Sequence, residues 1–345
     1  MSTRRSFSLS LLSSAAWAAP WRKIRAAAYG TGHAHASGKV AALRALEPFE
    51  FVGVCEPDPE APRAATAYQG VRWLSEKELL EDPSIELIAV EAGVDRNLEY
   101  ARRCVDAGKH VHLDKPPGED LDKLRRMLDE AARRNLRVQM GYQWRYQPGI
   151  RAVMEAARQG WLGEIYAVRA VINKPTPKAE RRPLARFRGG MMFELGCHLI
   201  DRAVDLLGKP KRVTGFLRSD GPYADGLADN TLAILEFDRA LAEIYVAAMQ
   251  PNGNAYRTFE VLGTNGSLAA RPFSRSKLYA DMQEAAGPYR AGPQVLDAPP
   301  DPTPAYAPDF LDLARQIREG ALPSWSRQHD LDVQETLLRA CHLLA

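Results

Sequence analysis

The first third of the chain alternates short apolar runs with stretches whose apolar residues recur at helical spacing. Apolar runs at 23–29, 50–55, 87–91, 110–114 and 137–141 predict strands. Between them, positions 37–46, 96–107 and 119–135 repeat their apolar residues every three or four positions, which predicts helices. Strand and helix in strict turn imply a parallel sheet with right-handed crossovers. Beyond residue 164 the period drops to two. Alternation over 165–172, 212–217, 231–237, 242–248 and 259–263 predicts a largely antiparallel sheet. Residues 281–307, rich in Pro, Gly and Ala, read as a long surface loop before helices at 309–319 and 330–344. The expected fold class is α/β: a parallel-sheet domain over 20–145, then an α+β domain over 146–345 with a largely antiparallel sheet.

Three motifs within this frame carry chemistry. In Tyr29-Gly30-Thr31-Gly32-His33-Ala34-His35, a strand runs into a glycine turn and then a helix. Gly30 and Gly32 allow a tight turn and close approach of a pyrophosphate to the backbone, with the next helix N-terminus behind it. The third glycine of that pattern is absent, because His35 occupies its position. The second strand ends at Glu56, 26 residues after Gly30, where an acid suits ribose hydroxyls and repels a 2′-phosphate. NAD is therefore expected over NADP.

Asp114-Lys115-Pro116-Pro117 lies at the end of the fourth strand, where open α/β sheets place ligands. Pro116 pushes Lys115 toward extended geometry, so a pinned ammonium can donate to a substrate oxygen or cofactor. Gly189-Gly190 then opens a helix carrying Glu194, His198 and Asp201 at i, i+4 and i+7. At about 100° per residue these three share one face, which would flank the imidazole with carboxylates and tune it as a general base. A buried histidine satisfied by a structural acid is the alternative reading of that helix alone.

All three motifs, in this order, resemble those of the Gfo/Idh/MocA oxidoreductases, the family of glucose–fructose oxidoreductase and inositol dehydrogenase. The resemblance runs from residue 22 to 345 and implies a Rossmann domain followed by an open-faced sheet that forms a dimer interface in relatives. Asp114-Lys115-Pro116 matches the family's E-K-P-like motif, and Gly189 to Asp201 matches its G-G-x-x-x-D-x-G-x-H-x-x-D-like helix. The resemblance implies Lys115 and His198 as the catalytic pair, with Glu194 orienting His198. It implies Gly30, Thr31, Gly32, His33, Glu56, Asn97 and Lys115 as cofactor contacts. Tyr142 and Arg145, at the crossing into the second domain, are candidates for facing the substrate, as is Arg186, whose basic cluster before the helix could reach an anionic substrate; Asp201 is a further candidate but reads rather as a structural residue. The chain departs from the family at Glu194, where Asp is usual, and at Ala92-Gly93 and Asn97, where relatives carry a Thr-Pro or Asn-Pro turn and a His.

Composition changes this picture little. With 46 basic and 43 acidic residues, the net charge of +3 gives no reason to invoke nucleic acid. Four cysteines (Cys55, Cys104, Cys197, Cys341) read as single buried thiols, and no metal is expected. The N-terminus does add something. Arg4-Arg5, a short apolar stretch and Ala16-Trp17-Ala18 resemble a twin-arginine export signal over 1–19, implying a periplasmic enzyme. Without such a signal the protein would be cytoplasmic. Nothing else approaches a membrane span. Export without a free NAD pool implies a tightly held cofactor recycled in each turnover. The expectation is a carbohydrate-oxidising NAD enzyme, dimeric or a dimer of dimers. A redox-neutral lyase, epimerase or glycosidase using transient oxidation, or a non-enzymatic sensor on the same scaffold, are the alternatives.

Overall fold

The computed structural model describes residues 22–344, so the expected leader at 1–19 lies outside the described residues. Its first domain runs β1 (Ile24–Tyr29), α1 (Ala36–Ala45), β2 (Phe49–Cys55), α2 (Glu76–Glu81), β3 (Leu87–Val90), α3 (Val94–Asp106), β4 (His110–Leu113), α4 (Leu121–Arg133) and β5 (Val138–Met140). The five strands are parallel and lie in the order β2-β1-β3-β4-β5. Strand order reverses between β1 and β3, so a crevice opens outside their carboxyl ends. Apolar spacing explains the helices. α3 buries Val94, Tyr100, Ala101, Cys104 and Val105, and α4 buries Leu124, Met127, Leu128 and Ala131. Short helix α2, which the apolar period does not reveal, is started by a Ser75–Glu78 capping box.

The second domain begins with α5 (Pro148–Arg158), capped by Gln147 and opened by Pro148. It continues through β6 (Ile165–Val171), α6 (Lys178–Leu184), a π turn over Met192–Gly196, α7 (Cys197–Leu207), β7 (Arg212–Arg218), β8 (Asn230–Glu236), β9 (Leu241–Ala247) and β10 (Thr258–Gly263). Then come β11 (Gly266–Arg271), β12 (Lys277–Met282), β13 (Gly292–Asp297), α8 (Ala307–Arg318) and α9 (Arg327–Ala340). The eight strands form one sheet in the order β13-β12-β11-β10-β6-β9-β8-β7, antiparallel except for the β6–β9 pair. One face buries Val168, Ala170, Ile244, Val246, Phe259 and Val261 against α5 and α7, and the other is open.

The expected loop over 281–307 is a correction. β12 and β13 add a hairpin to the sheet edge there. Backbone pairing, which composition does not report, holds this Pro- and Gly-containing stretch extended. The last helices do return to the first domain, α8 against α1 and α9 against α4.

Candidate active site

The glycine turn is built by contact between two loops. Gly30 has φ of +94°, and a Cβ there would lie 2.6 Å from the Ala92 nitrogen; one on Gly32 would lie 2.9 Å from the Gly93 nitrogen. Gly30 and Gly32 are therefore what let the β1–α1 loop touch the main chain of the β3–α3 loop at Ala92-Gly93, the pair that departs from the family turn. His33 N–H donates to the Glu91 carbonyl at 3.0 Å, closing the contact. Helix α1 starts after His35 with no side-chain cap, leaving N–H groups of its first turn available to an anion. Glu56 ends β2 as expected. Its carboxylate accepts from Thr31 N–H at 2.5 Å and from Thr31 Oγ1 at 3.0 Å.

His35 does not disturb the packing that a third glycine normally serves. Its ring turns into the crevice, with Nδ1 3.2 Å from Asp114 and Nε2 3.4 Å from Gln143 Nε2. Asp114 is the hub of this side. It accepts from His33 Nδ1 at 2.5 Å and pairs with Lys39 Nζ at 3.1 Å. Lys39 also reaches Glu91 at 2.8 Å, and both residues are fully buried. Two carboxylates thus share one ammonium. Asp114 keeps the charge, while burial and the neighbouring Asp114 push Glu91 well above the usual range, so Glu91 takes the proton. Burial opposes a charge on His33, but Asp114 and Glu194 outweigh it and lift its pKa to about 9. Burial lowers His35 to about 4 against the pull of Asp114, so it is neutral. Ligand atoms of His33, His35 and Asp114 lie within 4.8 Å of one another, a spacing that would suit a cation. With Lys39 on Asp114 and His33 itself charged, however, this carboxylate already has its countercharges.

Lys115 is fully buried at the end of β4, followed by a cis bond to Pro116. Its Nζ donates to both the carbonyl and the Oε1 of Glu194, each at 2.9 Å. Burial alone would lower this amine, but the Glu194 charge more than offsets it and holds the pKa at about 12. Burial likewise acts to raise Glu194, and Lys115 and His33 instead bring it to about 2. The third N–H of the ammonium has no partner in the ion pair.

The expected carboxylate–imidazole face does not form. The π turn inserts an extra residue per turn just before α7, so Glu194 swings toward β4 and its partners are Lys115 and His33. His198, 2 % exposed, stacks on Trp144 at 4.6 Å between ring centroids, with Tyr142 at 5.9 Å and His35 at 6.4 Å. Its Nδ1 has no partner among the described residues. Burial first, and Lys115 second, push its pKa well below the usual value, so the ring is neutral. Trp144 was not among the expected site residues, although it stands directly beside Arg145 in the crossing segment.

Asp201 sits among structural partners. It is held by Arg145 at 2.6 Å, Arg202 at 2.6 Å and His329 at 3.0 Å, and Arg145 also bonds Asp330 at 2.6 Å. Arg145 is sandwiched between Tyr142 and Trp325, with its guanidinium carbon 4.9 and 4.6 Å from the ring centroids. This buried cluster fixes the domain crossing to α7 and α9 rather than facing substrate. Tyr142 is buried beside it, and Arg186 is exposed on the segment after α6. Asn97 is fully buried on α3, and neither polar atom of its amide has a partner among the described residues.

A glycine turn, an uncapped helix start, an acid at the end of β2 and a buried lysine paired across to an acid before α7 now stand together. Residues 24–142 match the family described as "Oxidoreductase family, NAD-binding Rossmann fold", and residues 150–269 match "GFO/IDH/MocA C-terminal domain". The chain belongs to the Gfo/Idh/MocA oxidoreductases. It is 26% identical over 268 residues to the scyllo-inositol 2-dehydrogenase (NADP(+)) of Bacillus subtilis (strain 168), covering 71% of this chain and 73% of that protein. It is 27% identical over 199 residues to the myo-inositol 2-dehydrogenase of Thermotoga maritima, covering 56% and 58%. An oxidoreductase from Agrobacterium radiobacter, solved with NAD+, L-tartaric acid and magnesium, superposes with a TM-score of 0.79 at 16% identity over 92% of this chain and 96% of that one. The family makes this chain an NAD(P)-dependent oxidoreductase acting on CH–OH groups.

The residues present fit a dinucleotide. Gly30, Thr31 and Gly32 with the start of α1 would hold the pyrophosphate, and Glu56 the adenosine ribose. Asn97 would supply buried amide atoms still lacking partners among the described residues, and Lys115 would border the reacting end.

Proposed function

We propose that this protein oxidises a hydroxyl of a sugar or cyclitol with NAD, using His198 as base and Lys115 as the oxygen-binding cation. The observation that carries the reading is the fully buried Lys115, kept charged by Glu194, whose charge acts on a neutral His198 with an unpartnered Nδ1. When bound, nicotinamide accepts the hydride. Lys115 donates its spare N–H to the reacting oxygen and favours the developing negative charge there. His198 Nδ1 accepts the hydroxyl proton, and stacking on Trp144 keeps the ring aimed. Glu194 keeps the ammonium protonated. Names of relatives support the substrate class, since two are inositol dehydrogenases.

NAD is proposed over NADP because Glu56 is an anion where a 2′-phosphate would lie. Export through the twin-arginine route, with the cofactor carried in and recycled, is proposed from Arg4-Arg5 and the residues that follow. Assembly through the open sheet face is proposed from Phe216, Leu241 and Val295, which share that face and are each at least half exposed.

The test is to incubate the protein with NAD and a panel of cyclitols, aldoses and glycosides, following both reduced nicotinamide and product. Oxidised product that disappears in both Lys115→Met and His198→Leu supports the reading. Unchanged turnover in either variant overturns it. Altered sugar without net NADH identifies the redox-neutral variant.

A further inference from the structure

Most of the buried charges around the crevice have a counter-ion. Lys39 and Lys115 have theirs, Arg145 has Asp201 and Asp330, and Arg181 has Asp225 and Asp229. Arg257 differs. It stands just before β10, at the end of the connection from β9, and partly buries its guanidinium. Among the described residues its contacts are the Asn173 carbonyl, 3.4 Å from Nε, and the Trp144 ring, 5.8 Å from the guanidinium carbon. Burial alone acts on this group and lowers its pKa, with no neighbouring charge to offset it.

Arg257 also lines a cavity of about 190 Å³ with Gln143, Trp144, Phe273, Asp301 and Tyr306. Trp144, Phe273 and Tyr306, with Tyr146 also in the lining, offer apolar ring faces of the kind that pack on a sugar's C–H face. The two carboxylates of this lining are already engaged. Asp301 accepts from Arg275 N–H at 3.0 Å and from Gln147, and the Asp309 carboxylate pairs with His112 at 2.9 Å and accepts from Gln139 Nε2. Trp144 joins this cavity to the chemistry, since its ring also stacks on His198, and Gln143 does so through His35. A partly desolvated guanidinium without a countercharge, facing a space of monosaccharide size, is built to receive an anion.

We propose that Arg257 binds a carboxylate of the substrate, so that the preferred substrate is a sugar acid rather than a neutral sugar or cyclitol. This rests on the oxidoreductase reading above and narrows it. Arg186, by contrast, is exposed. The planar guanidinium takes both carboxylate oxygens, while the aromatic walls orient the ring toward His198.

The test is calorimetric titration of the NADH-loaded protein with D-gluconate and D-glucuronate, against D-glucose and myo-inositol. The acids are expected to bind at least about tenfold tighter than the neutral probes. Arg257→Met should erase that preference, and Arg257→Lys should keep part of it. Equal affinity for acid and neutral probes, no binding of either acid, or an acid preference that survives in Arg257→Met would overturn the proposal. NADH binding is the control for folding in each variant. A wild-type protein that fails to bind NADH or NAD overturns the oxidoreductase reading itself. One that binds NADH and oxidises hydroxyl substrates, but shows no preference for acids over neutral probes, overturns only the sugar-acid assignment.

Discussion

Glu194 grips Lys115, with Oε1 and the main-chain oxygen each 2.9 Å from Nζ, and it makes no bond to His198. The acid of the signature helix therefore tunes the cation of the other domain. Glu194→Gln keeps the shape and removes the charge. Burial then dominates at Lys115 and its pKa falls from about 12. The alkaline limb of kcat should move to lower pH, which a pH–rate profile on an accepted hydroxyl substrate will show. Lys115→Met should cost about 10²–10⁴-fold in kcat while NAD affinity stays within a few-fold.

His198 is kept for chemistry at the expense of stability. A buried ring nitrogen without a partner is destabilising by about 1–3 kcal/mol. His198→Leu should therefore abolish turnover and leave the melting temperature unchanged or higher, as calorimetry can measure. A large drop in melting temperature would mean that the ring is structural.

Stability should peak near neutral pH, for reasons of opposite sign. His35 and Glu194 have folded pKa values of about 4 and about 2, below their unfolded values. Their contribution is present above pH 6.5 for His35 and above pH 4.5 for Glu194, and each is lost as pH falls toward the folded value. His33 is raised to about 9, so its contribution is full below pH 6.5 and lost as pH rises through 9. His33→Asn should flatten the alkaline side of a melting-temperature profile and also weaken the Glu194 part of the acid side, which His33 helps to hold.

Arg145 joins the domain crossing to α7 and α9 through Asp201 and Asp330. Arg145→Ala strands buried carboxylates and should destabilise by about 3–5 kcal/mol in denaturant titrations. If it were a substrate contact, the loss would appear in KM at unchanged stability.

Glu56 sets cofactor choice. Glu56→Ala should shift the NADP-to-NAD ratio of affinities by about tenfold toward NADP, or ~1.4 kcal/mol. Titrations of both nucleotides against the two proteins decide this.

The first domain was legible because its strands are short apolar runs separated by helices with clear apolar faces. Lys115 and the glycine turn were found for the same reason, since both sit at the carboxyl ends of those strands. The second sheet was legible only where its period of two was strong. β13, whose side chains alternate between half-buried and exposed on an edge, hid in a Pro- and Gly-rich stretch. Placing Glu194 beside His198 assumed an unbroken α-helix, and no local signal announced the π turn. Arg145, Asp201 and Asp330 were separately visible, but their pairing joins positions 56 and 185 residues apart, beyond any spacing rule. Arg257 carried no motif at all; only its missing countercharge singles it out.

The most direct measurement is to purify the protein without added nucleotide, denature it and identify released dinucleotide by mass spectrometry. The account predicts near one equivalent of NAD or NADH per chain, with little NADP. An empty protein that then binds neither NAD nor NADP in titration would contradict it.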